Sequence, residues 1–373
     1  MCHRLPLLTF LLLGGMGRAV AEEDSWQRAL PGWNWQFPRD HSSHDDFRTE
    51  WWYVTGQVKT ASGRRFGYQF TIFRRGVRPP DDRAPVASRW VVNQLPMGHF
   101  ALTDVAGRHF YAGQRLERGA FGRAGFPAPG SADPRLAWIR DWEIARQPDG
   151  NFTLRASQPG AALDLKFSSP RPPLIHGEAG VSQKSAGAGN ASHYYSLTRM
   201  PTTGTVTVNG SSLEVSGLSW LDREWATNQL GPDQIGWDWI SLHLSEGSDL
   251  MLYQLRRKDG TADPFSSATL RKADGTTRHL TQTEFSLSPV PGRTWTSAKS
   301  GGTYPIAWQI RIPAESLTLE IQGLLPDQEL PLQPVAYWEG AVEAAGTLAG
   351  KPLSAEGYLE MTGYSAPLQA LKQ

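Results

Sequence analysis

Residues Gly217 to Asn228 read GLSWLDREWATN and set two carboxylates and a guanidinium between two indoles. Side chains alternate across an extended backbone. Trp220, Asp222 and Glu224 therefore share one face, and Leu221, Arg223 and Trp225 share the other. An aspartate among indole rings loses hydration, so its pKa rises unless a cation pairs with it. A carboxylic acid that stays protonated near neutral pH can donate its proton in a reaction. Arg223 points away from Asp222 here and leaves it unquenched. The plainer alternative pairs Asp222 and Glu224 with arginines at a domain junction.

Three further stretches mix polar and aromatic residues. In NASHYYSLTRM (190–200), His193, Tyr195 and Leu197 share a face. A histidine such as His193 can titrate near neutral pH, and Tyr195 can hydrogen-bond a ligand or a carboxyl. A satisfied structural hydrogen bond is the alternative for His193. In DHSSHDDFRTEWWY (40–53), Glu50 beside Trp51 and Trp52 repeats the carboxylate-by-indole arrangement and is a second pocket candidate. His41 and His44 are not at a strand period and no third histidine lies near, so the sequence calls for no metal. In GWDWISLHL (236–244), Trp237, Trp239, Ser241 and His243 form one face, which is either the wall of an apolar cavity or barrel core. No nucleophile elbow, zinc-protease helix, P-loop or dinucleotide fingerprint is present.

The elements that must position these residues are strands. The 373 residues include 38 Gly, 27 Pro and 15 Trp, which favours many turns and short strands. WWYVTGQVKT and FGYQFTIFRR form a hairpin about Ser62-Gly63, and WDWISLHLS and DLMLYQLRR form another. At an offset of 185, Trp52 falls on Trp237, Tyr68 on Tyr253 and Gln69 on Gln254. Similar strand pairs follow each hairpin in the same order, which is the mark of a duplicated unit. About eight strands per unit suffice for an antiparallel barrel around one small ligand. The expected architecture is all-β, with two barrels side by side over residues 22–200 and 201–373. The Pro/Gly-rich stretch 170–190 reads as a surface loop or linker.

Residues 1–21 carry a short basic start, an apolar run and a small-residue site at Ala19–Ala21, the pattern of an export signal. Its removal takes Arg4, Arg18 and the only cysteine, Cys2, leaving 35 basic and 36 acidic residues. That balance, with no basic run, argues against nucleic acid as a partner. No later segment is apolar enough to span a membrane as a helix.

TEWWYVTG, HYYSLTRM, GLSWLDREW, GWDWISLHL, YWEGAV (337–342) and GYLEMTGY (357–364) together resemble the bacterial AttH-like family. That family is also described as lipocalin-like hydroxyneurosporene synthase, carotenoid 1,2-hydratase or predicted secreted hydrolase. The resemblance covers roughly residues 33–366 and implies two packed lipocalin-like barrels. In the hydratase branch an aspartate protonates a terminal isoprenoid double bond and water captures the cation. The resemblance puts that aspartate on Asp222, its histidine on His193, and the neighbouring aromatics on Tyr195 and Trp220. The hydratases carry Trp and Tyr at those two positions. The AttH branch is associated with ABC transporter components. The resulting expectation is an exported, periplasmic or secreted protein that binds an apolar, isoprenoid or lipid-like molecule. Asp222 would be the proton donor and His193 its orienting or water-activating partner. Tyr195, Trp220 and Trp237 would form the aromatic wall, with Glu224, Trp239, Trp52 and Glu50 around it. A carboxyl and a water supply every reagent, so no cofactor is implied. The alternative is a non-catalytic carrier or accessory protein of an ABC transport system.

Overall fold

The computed structural model describes residues 26–83, 90–228, 230–332 and 335–368. The export signal expected over 1–21 lies outside the described residues.

The first unit holds β1 Thr49–Lys59, β2 Arg65–Gly76, β3 Gln94–Asp104, β4 His109–Leu116, β5 Ala124–Gly125, β6 Arg135–Ile139, β7 Trp142–Arg146, β8 Phe152–Gln158, β9 Ala161–Phe167, β10 Leu174–Ile175, β11 Ser182–Gln183, β12 Ala191–Val208 and β13 Ser211–Ala226. The second holds β14 Gln234–Leu244, β15 Asp249–Arg257, β16 Ser267–Arg271, β17 Thr277–Thr281, β18 Ser286–Pro289, β19 Thr294–Thr296, β20 Thr303–Pro305, β21 Ala307–Ile312, β22 Leu317–Gly323, β23 Glu329–Leu330, β24 Tyr337–Leu348 and β25 Lys351–Met361. Helical structure among the described residues is limited to five three-residue 3-10 turns.

The first sheet runs β4-β3-β2-β1-β13-β12-β9-β8-β7-β6-β5 and the second β17-β16-β15-β14-β25-β24-β22-β21-β18, both antiparallel. Nine successive strands of the first path have counterparts in the second, in the same order. β14 begins 185 residues after β1, which matches the offset of the two hairpins. The all-β duplicated architecture is therefore present, as two strongly curled half-barrels. The expected boundary at 200/201 is not: β12 runs through it without a break, and β13 pairs with β1. The sheets change over between Ala226 and Gln234. Pro201 sits at an exposed point of a strand that continues.

Each sheet curls around its own core. Trp52, Phe66, Phe70, Trp142 and Trp225 lie in the first, and Ile240, Tyr304, Trp308 and Trp338 in the second. A third cluster lies where the outer faces meet and includes Tyr53, Tyr194, Trp220, Trp239, Tyr253 and Tyr358. This seam explains the odd composition of GLSWLDREW. In the first half of β13 only Val215 is buried, whereas Ser219 to Ala226 are all buried, one face in the first core and one in the seam. A strand buried on both sides must satisfy its polar groups internally.

The seam is tied by specific contacts. Gln57 Nε2 donates to the carbonyls of Val342 at 2.7 Å and Gly357 at 2.8 Å. Asp249 of β15 accepts from Thr198 Oγ1 at 2.8 Å and pairs with Arg171 Nη1 at 2.7 Å and Arg199 Nε at 3.2 Å. Gly67 lies so close to Ala341 that any Cβ there would collide with the Ala341 methyl. β12 carries a bulge between Leu197 and Met200, where two residues oppose Trp220 and Arg199 adopts φ 51°. Such bulges re-aim side chains, and this one adjoins Asp222.

Candidate functional site

β12 and β13 pair so that Ser196 stands opposite Asp222 and Tyr194 opposite Glu224. All four side chains face the seam. Asp222 is 3% exposed. Its Oδ1 accepts from Ser196 Oγ and Trp220 Nε1, each at 2.5 Å, and its Oδ2 accepts from Tyr194 OH at 2.5 Å. The Tyr194 oxygen in turn accepts from Trp239 Nε1 at 2.9 Å. Among the described residues no cation pairs with Asp222. Burial lifts its pKa to about 7; the hydrogen bonds from Ser196, Tyr194 and Trp220 oppose that rise and Glu224 adds to it. Near neutral pH this carboxyl is divided between its acid and anion forms.

Behind Ser196 stands His176, with Nε2 at 2.6 Å from Ser196 Oγ and Nδ1 at 2.9 Å from Thr269 Oγ1. Burial holds its pKa well below the ordinary histidine value, with Lys184, His279 and Arg271 adding to the effect, so the ring is neutral. Because Ser196 donates to Asp222, its oxygen can only accept from His176. The ring hydrogen therefore sits on Nε2, and Nδ1 takes the Thr269 hydrogen. The result is a directed chain, Thr269 to His176 to Ser196 to Asp222, that spans both sheets.

Asp222 opens on a cavity of about 110 Å³ lined by Trp51, Tyr53, Tyr194, Trp237, Trp239 and Tyr253. Glu224, Glu360 and Lys184 also reach it. Lys184 Nζ lies 3.2 Å from Glu224 Oε1 and 3.9 Å from the centre of the Tyr253 ring. Burial works against its charge, but Glu224 and Tyr253 raise its pKa overall. Glu360 of β25 is half-buried, with its open side on the cavity. Burial pushes its pKa up to about 8; a hydrogen bond from Trp237 opposes this, and Asp222 and Glu224 reinforce it. A wider groove of about 840 Å³, lined by Gln57, Lys59, Arg65 and Lys166, lies at the outer surface and gathers no comparable set of perturbed groups.

Of the residues singled out in sequence, Asp222, Trp220, Glu224, Trp237 and Trp239 meet at this seam. The others do not. His193 stands opposite Trp225, on the far face of the sheet, with its ring 4.8 Å from Trp33 and its Nδ1 3.3 Å from the Gly180 carbonyl. Its expected partnership with Asp222 is not formed, because a one-residue step along β12 reverses the face. Tyr195 points the same way, and its hydroxyl lies 2.6 Å from His41 Nδ1. Glu50 is fully buried between Arg223 at 2.6 Å and Arg74 at 3.0 Å, with His44 at 2.7 Å. Burial alone would raise its pKa, but Arg223, His44 and Arg74 hold it well below the carboxylate range. Trp52 lies in the first core, under the Arg223 guanidinium at 3.8 Å. These groups lock residues 40–50 onto the sheet. The sequence reading missed Tyr194, Ser196, His176, Lys184 and Glu360. Strand alternation would have flagged Tyr194 and Ser196 once the register was known; His176 and Lys184 lie in the Pro/Gly-rich stretch, which has no periodicity.

The profile of the AttH-like family matches residues 28–364. A solved AttH-type protein of Nitrosomonas europaea is 35% identical and superposes with a TM-score of 0.79 over 91% of this chain and 99% of that one. Kievitone hydratase of Nectria haematococca superposes with a TM-score of 0.67 at 17% identity, over 92% of this chain and 98% of that one. Dehydratase asqC of Emericella nidulans is 27% identical over 229 residues, 57% of this chain and 62% of that protein, so the match covers less than two thirds of its length. The fold is thus shared with a hydratase, and the sequence is related to a dehydratase.

Proposed function

This chain belongs to the AttH-like family, and from that premise we propose that its seam cavity binds one end of an isoprenoid or lipid-like molecule and adds water across, or eliminates it from, a C=C bond. The observation that carries this reading is Asp222: a buried carboxyl with three neutral donors, no ion-pair partner among the described residues, and a pKa of about 7 beside an aromatic cavity. An acid of that strength can give a proton to an alkene carbon, and its anion can take one back. A cavity of about 150 Å³ accommodates benzene, so about 110 Å³ fits a five-carbon prenyl end rather than a whole lipid.

In the hydration direction the Asp222 proton forms the new C–H bond and the charge moves to the tertiary carbon. Ring faces of Trp237 and Trp239 stabilise that cation. Water then forms the C–O bond. Tyr194, Trp220 and Ser196 receive the carboxylate that Asp222 leaves behind, and their hydrogen bonds strengthen as charge develops.

The test uses geranylacetone, an isoprenoid ketone that ends in an isopropylidene group. Purified protein should convert it to the tertiary alcohol, and Asp222→Asn should lower that rate about 10²- to 10⁴-fold while still binding the ketone. Binding without turnover by the wild type, across a panel of isoprenoid alkenes, would instead support a carrier. Export through residues 1–21 belongs to the same proposal, as does association with ABC transporter components. N-terminal sequencing of the protein recovered from its host would check the first, and co-purification the second.

A further inference from the structure

Hydration moves two protons, one onto carbon and one off the attacking water, and Asp222 accounts for the first alone. We propose that Glu360, reaching the cavity from the opposite sheet, is the second catalytic residue: its carboxylate takes the proton from water as the C–O bond forms, and its acid form protonates the leaving hydroxyl in reverse. This role rests on the hydration reading above.

Position supports it first. Asp222 belongs to β13 of one sheet and Glu360 to β25 of the other, and both line the same 110 Å³ space. A group held between them has one carboxyl on each wall. β25 places Glu360 directly opposite Trp239 on one side and Glu339 on the other. The surroundings support it next. Lys184 is engaged with Glu224, and among the described residues no ion pair reaches Glu360. Glu339 is fully buried behind it and accepts the Tyr53 hydroxyl at 2.5 Å on Oε1, while its Oε2 has no hydrogen-bond partner. Burial and Glu360 raise the Glu339 pKa well above the carboxylate range, so its free oxygen belongs to a neutral carboxyl, and an unpartnered polar atom beside a cavity carboxyl is a place suited to anchoring a water.

The balance of protons closes. Hydration starts with Asp222 protonated and Glu360 ionised, and ends with the reverse. Dehydration starts from that reverse form. Asp222 helps to raise Glu360, so the pair titrates together; with the two groups near 7 and 8 the one-proton form that carries the proton on Glu360 is favoured, and hydration draws on the less populated form with the proton on Asp222. Solvent exchange resets the pair between turnovers.

The experiment separates the two proton movements. In D₂O, a cation that water does not capture loses a proton and returns to alkene, so recovered geranylacetone gains deuterium at its isopropylidene end, which is read apart from the enolisable positions beside the ketone. Glu360→Gln should form alcohol about 10²- to 10⁴-fold more slowly than wild type while deuterium still enters the recovered alkene. Asp222→Asn should do neither. Glu360→Ala with added formate should regain alcohol formation, which guards against a loss of folding. Undiminished alcohol formation by Glu360→Gln, in an active wild type, overturns this role alone. Loss of exchange and alcohol together in that variant, without formate rescue, overturns it as well. A wild type that neither hydrates nor exchanges removes the hydration reading and this role with it.

Discussion

Replacing Asp222 by asparagine should make the protein more stable at alkaline pH and not at acid pH. The unfolded chain releases this proton near its ordinary value of 3.8, whereas the folded protein keeps it to about 7. A raised carboxyl pKa means that folding favours the acid form. Below pH 4 both states hold the proton and Asp222 adds no pH-dependent cost. Between pH 4 and 7 the unfolded state releases it first, and stability falls by about 1.4 kcal/mol per pH unit. Above pH 7 the accumulated cost is about 4 kcal/mol. The asparagine side chain does not titrate. It keeps an acceptor for Ser196 and Trp220 but turns an N–H toward Tyr194, at a cost of about 1 kcal/mol for the rearranged hydrogen bond. Asp222→Asn should therefore gain about 3 kcal/mol over wild type near pH 8 and lose about 1 kcal/mol near pH 4. Glu339 is present in both proteins, whereas loss of the Asp222 charge relieves Glu360 and adds to the gain at alkaline pH. Thermal unfolding across this range should show the difference in Tm reversing sign. A variant equally destabilised at both ends would refute the reasoning, because it would mean that an ionised Asp222 is holding the seam together.

His193→Phe should leave geranylacetone turnover within about 3-fold of wild type, because the ring lies across the sheet from Asp222. His176→Phe should lower it more than about 10-fold by removing the donor to Ser196, a loss of at least about 1.4 kcal/mol in transition-state support; steady-state rates compare the two. Arg223→Met leaves Glu50 short of a partner and frees the carbonyls of His41, Ser42 and Trp51. Denaturant unfolding should show a loss of about 3–5 kcal/mol.

Much of this was legible in the sequence. Alternation along GLSWLDREW put Trp220, Asp222 and Glu224 on one face, where they are, and sent Arg223 to the other. The 185-residue offset between hairpins matched the start of β14 to that of β1. What alternation cannot supply is the register between neighbouring strands. Within NASHYYSLTRM it separates His193 from Tyr194, but only the pairing of Ser196 with Asp222 says which set meets the carboxylates. The rule that a carboxylate beside indoles has a raised pKa held for Asp222 and failed for Glu50. The difference lies in Arg74 and Arg223, which come from other strands. Glu360 lay in the quoted GYLEMTGY, yet nothing local to that motif shows that it faces Asp222 across two sheets.

The central claim is that Asp222 is a carboxylic acid that holds its proton to near neutral pH inside the seam. Infrared difference spectra between wild type and Asp222→Asn read it directly through the C=O stretch of a protonated carboxyl. The account predicts a band assignable to Asp222 near pH 6 that fades with a midpoint near 7. A carboxylate signal from Asp222 throughout, with no protonated band near pH 6, would contradict it.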